Sequence, residues 1–449
     1  MQKPPPDFRP GVHINRRRFL RTAAVASLPL WFLERQLAAA GEPRRRLGSN
    51  DRPRIALIGC GGMGRGDARL ASRFGDIVAV CDVDESHAEA AAKQFSVNGK
   101  TPAKFRDFRE VMERSDVDVI VQGTPDHWHT LINMAAANAK KDVYAEKPLT
   151  HSIDEGRHLV KAVRKHSIIL QTGTQQRSSQ KFRLACELVR NGRIGQLKRV
   201  SVFVPAGLRA GPFSPQTAPT ELDWDYWLGP APHVDYLKER CHVTFRWWFD
   251  YAGGPVTDWG AHHNDIARWA IGLDGPTHVE ARSLAEPTPG GYTSPPEFEA
   301  RLTWANGVEQ IVRTTPDDSP FGAIIKQDGQ RNGIKFEGTD GWIWVNREDL
   351  DASKEDIIFT PLPESALHLE SSRDHMENFF DSVRSRKDPI CPVEVGHRSA
   401  SVGHLIVIAL RTGLKLTFDP AKEKFVGESA KAGNALVARK MRKPYSYGM

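Results

Sequence analysis

The stretch RIALIGCGGMGRG, residues 54–66, decides how the whole chain is read. Its first half is a short apolar run ended by glycine, the pattern of a strand buried on both faces. Its second half, Gly59-Cys60-Gly61-Gly62-Met63-Gly64, is a GxGxxG set where that strand should stop and a helix should start. The glycines in that place permit a tight turn, close approach of backbone to a pyrophosphate, and close packing of helix on strand. The first amides of the following helix, expected through Asp67 to Phe74, add donors and a positive dipole for phosphate.

Outward from this point, DIVAVCDVD, DVDVIVQGTP and KDVYAEKPL read as further strands, with helical stretches such as HAEAAAKQF and TLINMAAANAK between them. Alternating strand and helix predicts a parallel sheet covered on both faces. Asp82 stands eighteen residues after Gly64, at the end of the second strand. A carboxylate there accepts hydrogen bonds from a ribose diol and repels a 2′-phosphate, so NAD is expected and NADP disfavoured.

Beyond about residue 172 the texture changes. LKRVSVFVPA, THVEARSLA, FEARLTWANGVEQIVRTT and GIKFEGTDGWIWVN read as strands of an antiparallel sheet, with Asn306-Gly307 as a hairpin turn. SQKFRLACELVRNG and RDHMENFFDSVRSR read as flanking helices, and a C-terminal helix near residues 396–413 is expected to pack back on the body. The expected fold class is α/β: a Rossmann parallel sheet over 51–171, then an α/β domain with a large, mostly antiparallel open sheet over 172–449.

Composition narrows the function classes. A chain of 449 residues with 40% hydrophobic and 26% charged content is expected to form a water-soluble, multi-domain fold. Its formal charge of +7 comes from residues 1–46, which hold ten basic and three acidic residues; the remainder has 52 of each. The excess therefore belongs to the N-terminal segment, and nucleic-acid binding loses its support. That segment reads as an export signal: Arg16-Arg17-Arg18-Phe19-Leu20-Arg21, an apolar run from Thr22 to Leu33, then Ala38-Ala39-Ala40 as a cleavage pattern. It resembles the twin-arginine pattern, so 1–40 is expected to be a signal peptide read by the twin-arginine export machinery, 41–50 a linker, and the mature protein periplasmic with no stable membrane insertion. The five cysteines show no metal spacing and read as core residues; no metal site is expected.

Two segments carry candidate chemistry. Glu146-Lys147-Pro148 ends a strand of the parallel sheet, where ligands of such sheets bind, so Lys147 should point into the crevice. Asp258 and His262 in DWGAHHNDIARW are four apart and share one face of a helical turn. Removing hydride from a secondary alcohol requires a base for the hydroxyl proton, and a histidine near its ordinary pKa of about 6.5 suits that. Asp258 can orient that ring or bind a neighbouring hydroxyl, Lys147 can stabilise charge developing on the reacting oxygen, and Asp265 is expected to cap or salt-bridge. His263 reads as facing packing or the cofactor and counts among the possible substrate contacts.

AEKP, TPDHWH and the DxGxH of DWGAHH, together with WDYWLGPAP, FRWWFDYAGG and GHRSASVGHL, resemble the Gfo/Idh/MocA oxidoreductase family and its exported bacterial branch. The resemblance runs from about residue 51 to the end. It implies hydride chemistry on a hydroxyl of a sugar, inositol or related polyol, and a homo-oligomer, dimer or tetramer. By motif it implies Lys147, Asp258 and His262 as the catalytic set. It places Thr124, Pro125, His129, Glu146 and Gln175 beside the cofactor, along with Gly59, Gly61, Gly62, Met63, Gly64 and Asp82. Arg177, Arg246 and Trp259 are the expected substrate contacts; indole faces suit the CH faces of pyranose rings, and Trp224, Trp227, Trp247 and Trp248 cluster nearby in sequence. The glycine- and tyrosine-rich segment of the family's N-acetylgalactosaminidases is not seen, and Asp82 argues against the cofactor of its NADP-bound glucose-fructose oxidoreductases.

Export poses a problem, because free NAD is not expected to be replenished outside the cytoplasm. A tightly held cofactor would then need a second substrate, or a redox-neutral reaction that oxidises a sugar, eliminates a glycosidic substituent and reduces the ketone again. A third alternative is a non-catalytic sugar-binding protein that keeps NAD as a structural element.

Overall fold

The computed structural model describes residues 51–314 and 332–447. The expected signal peptide and linker lie outside these residues. Six strands, β1 (Arg54–Ile58), β2 (Asp76–Cys81), β3 (Ala103–Phe105), β4 (Val119–Gln122), β5 (Asp142–Ala145) and β6 (Leu170–Thr172), form a sheet in the order β3-β2-β1-β4-β5-β6. All its pairs are parallel. The strand order reverses between β1 and β4, and that switch point opens a crevice at the carboxyl ends.

The crossovers include helices α1 (Gly62–Ala71), α2 (Glu85–Gln94), α3 (Asp126–Asn138) and α4 (Ile153–His166). The first helix begins at Gly62, five residues before the expected start, because the glycine loop turns at once into helix. Residues of β1 are buried on alternate sides: Ala56 and Ile58 join one apolar cluster, Ile55 and Leu57 the other. The continuous hydrophobic run is therefore explained by helices on both faces.

The second sheet has nine strands: β7 (Leu197–Val204), β8 (His278–Ala285), β9 (Glu297–Thr303), β10 (Glu309–Thr314), β11 (Gly333–Gly338), β12 (Trp342–Val345), β13 (Leu350–Ala352), β14 (Leu416–Asp419) and β15 (Lys424–Val426). Their order is β13-β12-β11-β7-β10-β9-β8-β14-β15. Every pair is antiparallel except β7 with β10. Gly307, at φ +81°, turns the chain between β9 and β10, a conformation in which a side chain would be strained.

One face of this sheet is covered by α5 (Gln180–Arg190), α6 (Trp259–Ile271) and α8 (Val393–Thr412), with Phe182, Ile266 and Ile406 in the shared core. A further helix, α7 (His375–Ser385), packs Phe379 and Phe380 under the first sheet. Helix α8 touches β8, α6 and α4, so it bridges the two sheets. All five cysteines are free and buried. No described helix is long and apolar enough to cross a membrane.

Candidate active site

The carboxyl ends of β1, β2, β4 and β5 border a cleft of about 490 Å³ whose lining includes Gly59, Asp82, Thr124, Pro125, Glu146 and Lys147. The facing wall carries Arg246, Asp258, Trp259, His262 and Arg347. Residues far apart in sequence thus meet across one space.

The glycine loop fits a dinucleotide. Gly59 sits at φ +89°, and a Cβ there would lie 2.5 Å from the amide nitrogen of Thr124. A Cβ on Gly64 would fall 2.0 Å from the Gly59 carbonyl oxygen, so this glycine lets α1 close on β1. Gly61 and Gly62 behave differently: a Cβ on either meets nothing within 4 Å, and both line the cleft. The open space where their side chains are missing is where a pyrophosphate can reach backbone amides. Met63, largely exposed, lines the same rim.

Asp82 is fixed at the end of β2. Its Oδ2 accepts from the Cys60 amide at 2.6 Å and its Oδ1 from the Asp84 amide at 2.9 Å. Burial pushes its carboxyl upward, while those two amides hold it down. Remaining lone pairs can accept from a ribose diol.

Lys147 follows β5, and its peptide bond to Pro148 is cis. Its Nζ donates to Asp258 Oδ1 at 3.0 Å and to the Asp258 carbonyl at 3.2 Å. Burial pushes the ammonium down, but Asp258 and Glu146 outweigh it and the net shift is upward. For Asp258, burial raises the carboxyl, yet Lys147 and Arg246 hold it below the usual value. Both charges persist at neutral pH.

His262 stands apart from that pair. Burial first, then Lys147 and Arg347, push it well below 6.5, so the ring is neutral. This corrects the expected pKa near 6.5, which ignored two cations in a desolvated cleft. Its Nδ1 has no hydrogen-bond partner among the described residues. Asp258 does not orient the ring; its carboxylate is engaged by Lys147 instead. Together the three groups present an ammonium, a carboxylate and a neutral imidazole.

Four expected contacts stand behind the cleft and outside its lining. Gln175 Nε2 donates to Glu146 Oε1 at 3.1 Å and to the Tyr144 hydroxyl at 3.2 Å, which positions Glu146. The ring of His129 lies between the carbonyl oxygens of Thr124 and Pro148, 2.8 and 2.7 Å away, and fastens two lining loops together. Arg177 is consumed by Asp265 in a buried pair at 2.7 and 2.8 Å, and its guanidinium lies over Trp269. His263, fully buried, contacts Asn332 Oδ1 at 3.0 Å and Trp259. In each case the residue falls on the face of its element turned toward protein. Of the tryptophans, Trp227 and Trp259 line the cleft, whereas Trp224 and Trp248 serve an aromatic cluster with Tyr236 and Tyr251.

Sequence reasoning missed other lining residues. Asp126, at the start of α3, is pushed up to about 8, by burial first, and Lys147 only partly opposes this. Its place in TPDHWH was the available signal. Arg347, after β12, lies over the Trp259 ring at 4.5 Å; nothing in its local sequence marks it. Glu146, expected at the cofactor, and the buried Asp67 of α1 behind it are both raised, by desolvation first, and Glu146 raises Asp67 further by like-charge repulsion.

The chain resembles known proteins in sequence and fold. The profile described as the oxidoreductase family's NAD-binding Rossmann fold matches residues 53–174, and that of its C-terminal alpha/beta domain matches 208–447, more than half the chain. The oxidoreductase YrbE of Bacillus subtilis is 24% identical over 375 residues, 81% of this chain and 96% of the relative. Myo-inositol 2-dehydrogenase of Thermotoga maritima is 27% identical over 222 residues, covering 49% of this chain and 55% of that protein. The WlbA dehydrogenase of Bordetella pertussis, solved with NADH and UDP-GlcNAcA, shares the fold at a TM-score of 0.61 and 18% identity, over 82% of this chain and 99% of that one. With an NAD-binding Rossmann fold, a mixed sheet beyond it and both family profiles in register, the chain belongs to the Gfo/Idh/MocA oxidoreductase family.

Proposed function

We propose that this NAD-dependent dehydrogenase moves hydride between a secondary hydroxyl of a sugar or cyclic polyol and the nicotinamide. The observation that carries the reading is the set formed by Lys147, Asp258 and His262 in the cleft that also holds the glycine loop. Relatives named for inositol dehydrogenation support the substrate class.

Bound NAD supplies the hydride acceptor. Lys147, kept cationic by Asp258, donates to the reacting oxygen and stabilises the negative charge that grows there. His262, a neutral imidazole with one ring nitrogen unprotonated, accepts the hydroxyl proton there; in the reverse direction it returns it. Arg246 and Trp259 supply a cation and an indole face at the wall opposite the sheet, suited to hydroxyls and to a ring face respectively.

A panel of sugars and inositols, followed by NADH absorbance, tests the reading. His262→Ala should lower turnover by about 10² to 10⁴ with ligand affinity retained. Unchanged turnover would remove this histidine from proton transfer.

One observation favours a second reading. Asp126 lines the same cleft and carries its proton up to about pH 8, so the cleft holds a neutral carboxylic acid as well as a neutral imidazole. Simple hydride transfer needs one proton carrier; elimination of a glycosidic substituent needs another for the leaving oxygen. Aglycone release without net NADH would favour that redox-neutral route, and accumulation of a keto-sugar would exclude it.

Export by a twin-arginine signal in residues 1–40 and a periplasmic location are part of this proposal, supported by the arginine pair and apolar run of the N-terminus. So is a homo-oligomer; Arg199, Arg282 and Arg301 stand exposed on the outer face of the large sheet.

A further inference from the structure

The Asp82 side of the cleft gathers three more groups that the hydride chemistry does not use. Asp84 caps α2: its Oδ1 accepts from the amides of Ser86 at 2.9 Å and His87 at 3.3 Å, which leaves Oδ2 free. That second oxygen lies 3.3 Å from Nε2 of His242, a residue 158 positions further along the chain. The rings of His87 and His242 meet at a tilt of 55° with centroids 4.5 Å apart. One donor atom from each of the three residues lies within 4.8 Å of the other two.

The arrangement is held from both sides. Asp84 is buried and fixed by its capping bonds, and His87 stands on the first turn of α2. His242 sits at φ +54°, a left-handed conformation uncommon for a residue with a side chain. Its flanks are anchored by Cys241 and Trp248, both buried in the aromatic cluster. Both histidines line the cofactor cleft, one from the parallel-sheet side and one from the segment anchored in the aromatic cluster.

We propose that Asp84, His87 and His242 form a site for a zinc-class divalent cation, which ties the segment around His242 to helix α2 at the rim of the cleft. Two imidazoles and one carboxylate are the ligand set of a borderline metal such as zinc or cobalt, whereas calcium and magnesium require oxygen ligands. Three protein ligands leave coordination positions for water. The inference does not depend on which substrate the enzyme turns over.

The test is a titration of cobalt(II) into the chelator-stripped, tag-free protein, followed by visible absorption, with bound zinc counted by mass spectrometry in a parallel sample. One ion per chain is expected. His87→Ala and His242→Asn should each lower affinity at least about tenfold, because losing even an outer partner of a ligand costs about 10–100-fold. Asparagine tolerates the left-handed backbone at 242, and the metal-free melting curve checks that each variant folds. No ion retained by the native protein, or native affinity in either folded variant, overturns the site.

Discussion

Two acid–base pairs link the same two stretches of chain and have opposite fates. Lys147 with Asp258 and Arg177 with Asp265 each join a residue from the end of the parallel sheet to one at or within α6. The second pair is closed: side-chain exposure is 5% and 0%, both Asp265 oxygens are taken by the guanidinium, Ser399 donates a third bond, and Trp269 covers one face. The first pair is open: Lys147 uses its Nζ on one residue, both partners retain some exposure, and the cleft lies against them. The difference teaches that charge type and sequence spacing do not separate a pair open to a ligand from a closed one. Spare hydrogen-bonding capacity facing a void does.

The comparison can be broken at the closed pair, where the largest effect is expected. Asp265→Ala leaves a buried guanidinium without its counter-charge, and should cost about 3–5 kcal/mol in denaturant unfolding. A loss of under about 1 kcal/mol would mean that water or Ser399 compensates and the pair is not closed.

At the open pair, Lys147→Met should lower turnover about 10²–10³-fold, the usual cost of removing one donor from a developing oxyanion. Its unfolding midpoint should move less than that of Asp265→Ala, because Arg246 stands 4.0 Å from Asp258 to keep it company. Equal destabilisation by the two variants would erase the distinction.

A pH-dependent effect sharpens the cleft's electrostatics. Asp126 has a folded pKa raised from 3.8 to about 8, so the folded state holds a proton that the unfolded chain releases near pH 4. The stability tied to that proton is fully present below pH 4 and is lost as pH rises toward 8. Asp126→Asn should therefore gain stability over the native chain as pH is raised from 5 to 8, by at most about 1.4 kcal/mol per pH unit. Melting curves at the two pH values measure this, and a gain that is flat with pH would mean that Asp126 is ionised throughout.

Much of the fold was legible because it follows local rules. The buried run before Gly59, the glycine loop and the alternation of strand and helix predicted the parallel sheet, and Asn306-Gly307 marked a hairpin of the second sheet. Short edge strands such as β13 and β15, three residues each, carry too little periodicity to be read. The parallel pairing of β7 with β10 depends on partners more than a hundred residues apart and has no local signature.

The site was legible in part. Motif position found Lys147, Asp258 and His262, all of which line the cleft, as do Asp82, Arg246 and Trp259. It placed Arg177 at the substrate, where Asp265 takes it instead; His263 packs as one of its two readings had it and is no substrate contact, because adjacent helix residues point about 100° apart and no sequence pattern says which direction will be covered. It missed Arg347, which reaches the cleft from the end of β12.

What the sequence determined by itself is what backbone chemistry compels: a glycine turn at 59–64 where side chains would collide or block a phosphate, and an acidic residue at the end of the next strand. Tertiary structure alone decided protonation and partnership. Burial and two neighbouring cations, drawn from residues 147 and 347, keep His262 neutral. Desolvation keeps the proton on Asp126, and a chain crossing of 158 residues sets His242 against Asp84. The physical reason is that a pKa or a ligand shell is a property of the charges and solvent around a group, and those neighbours are chosen by folding.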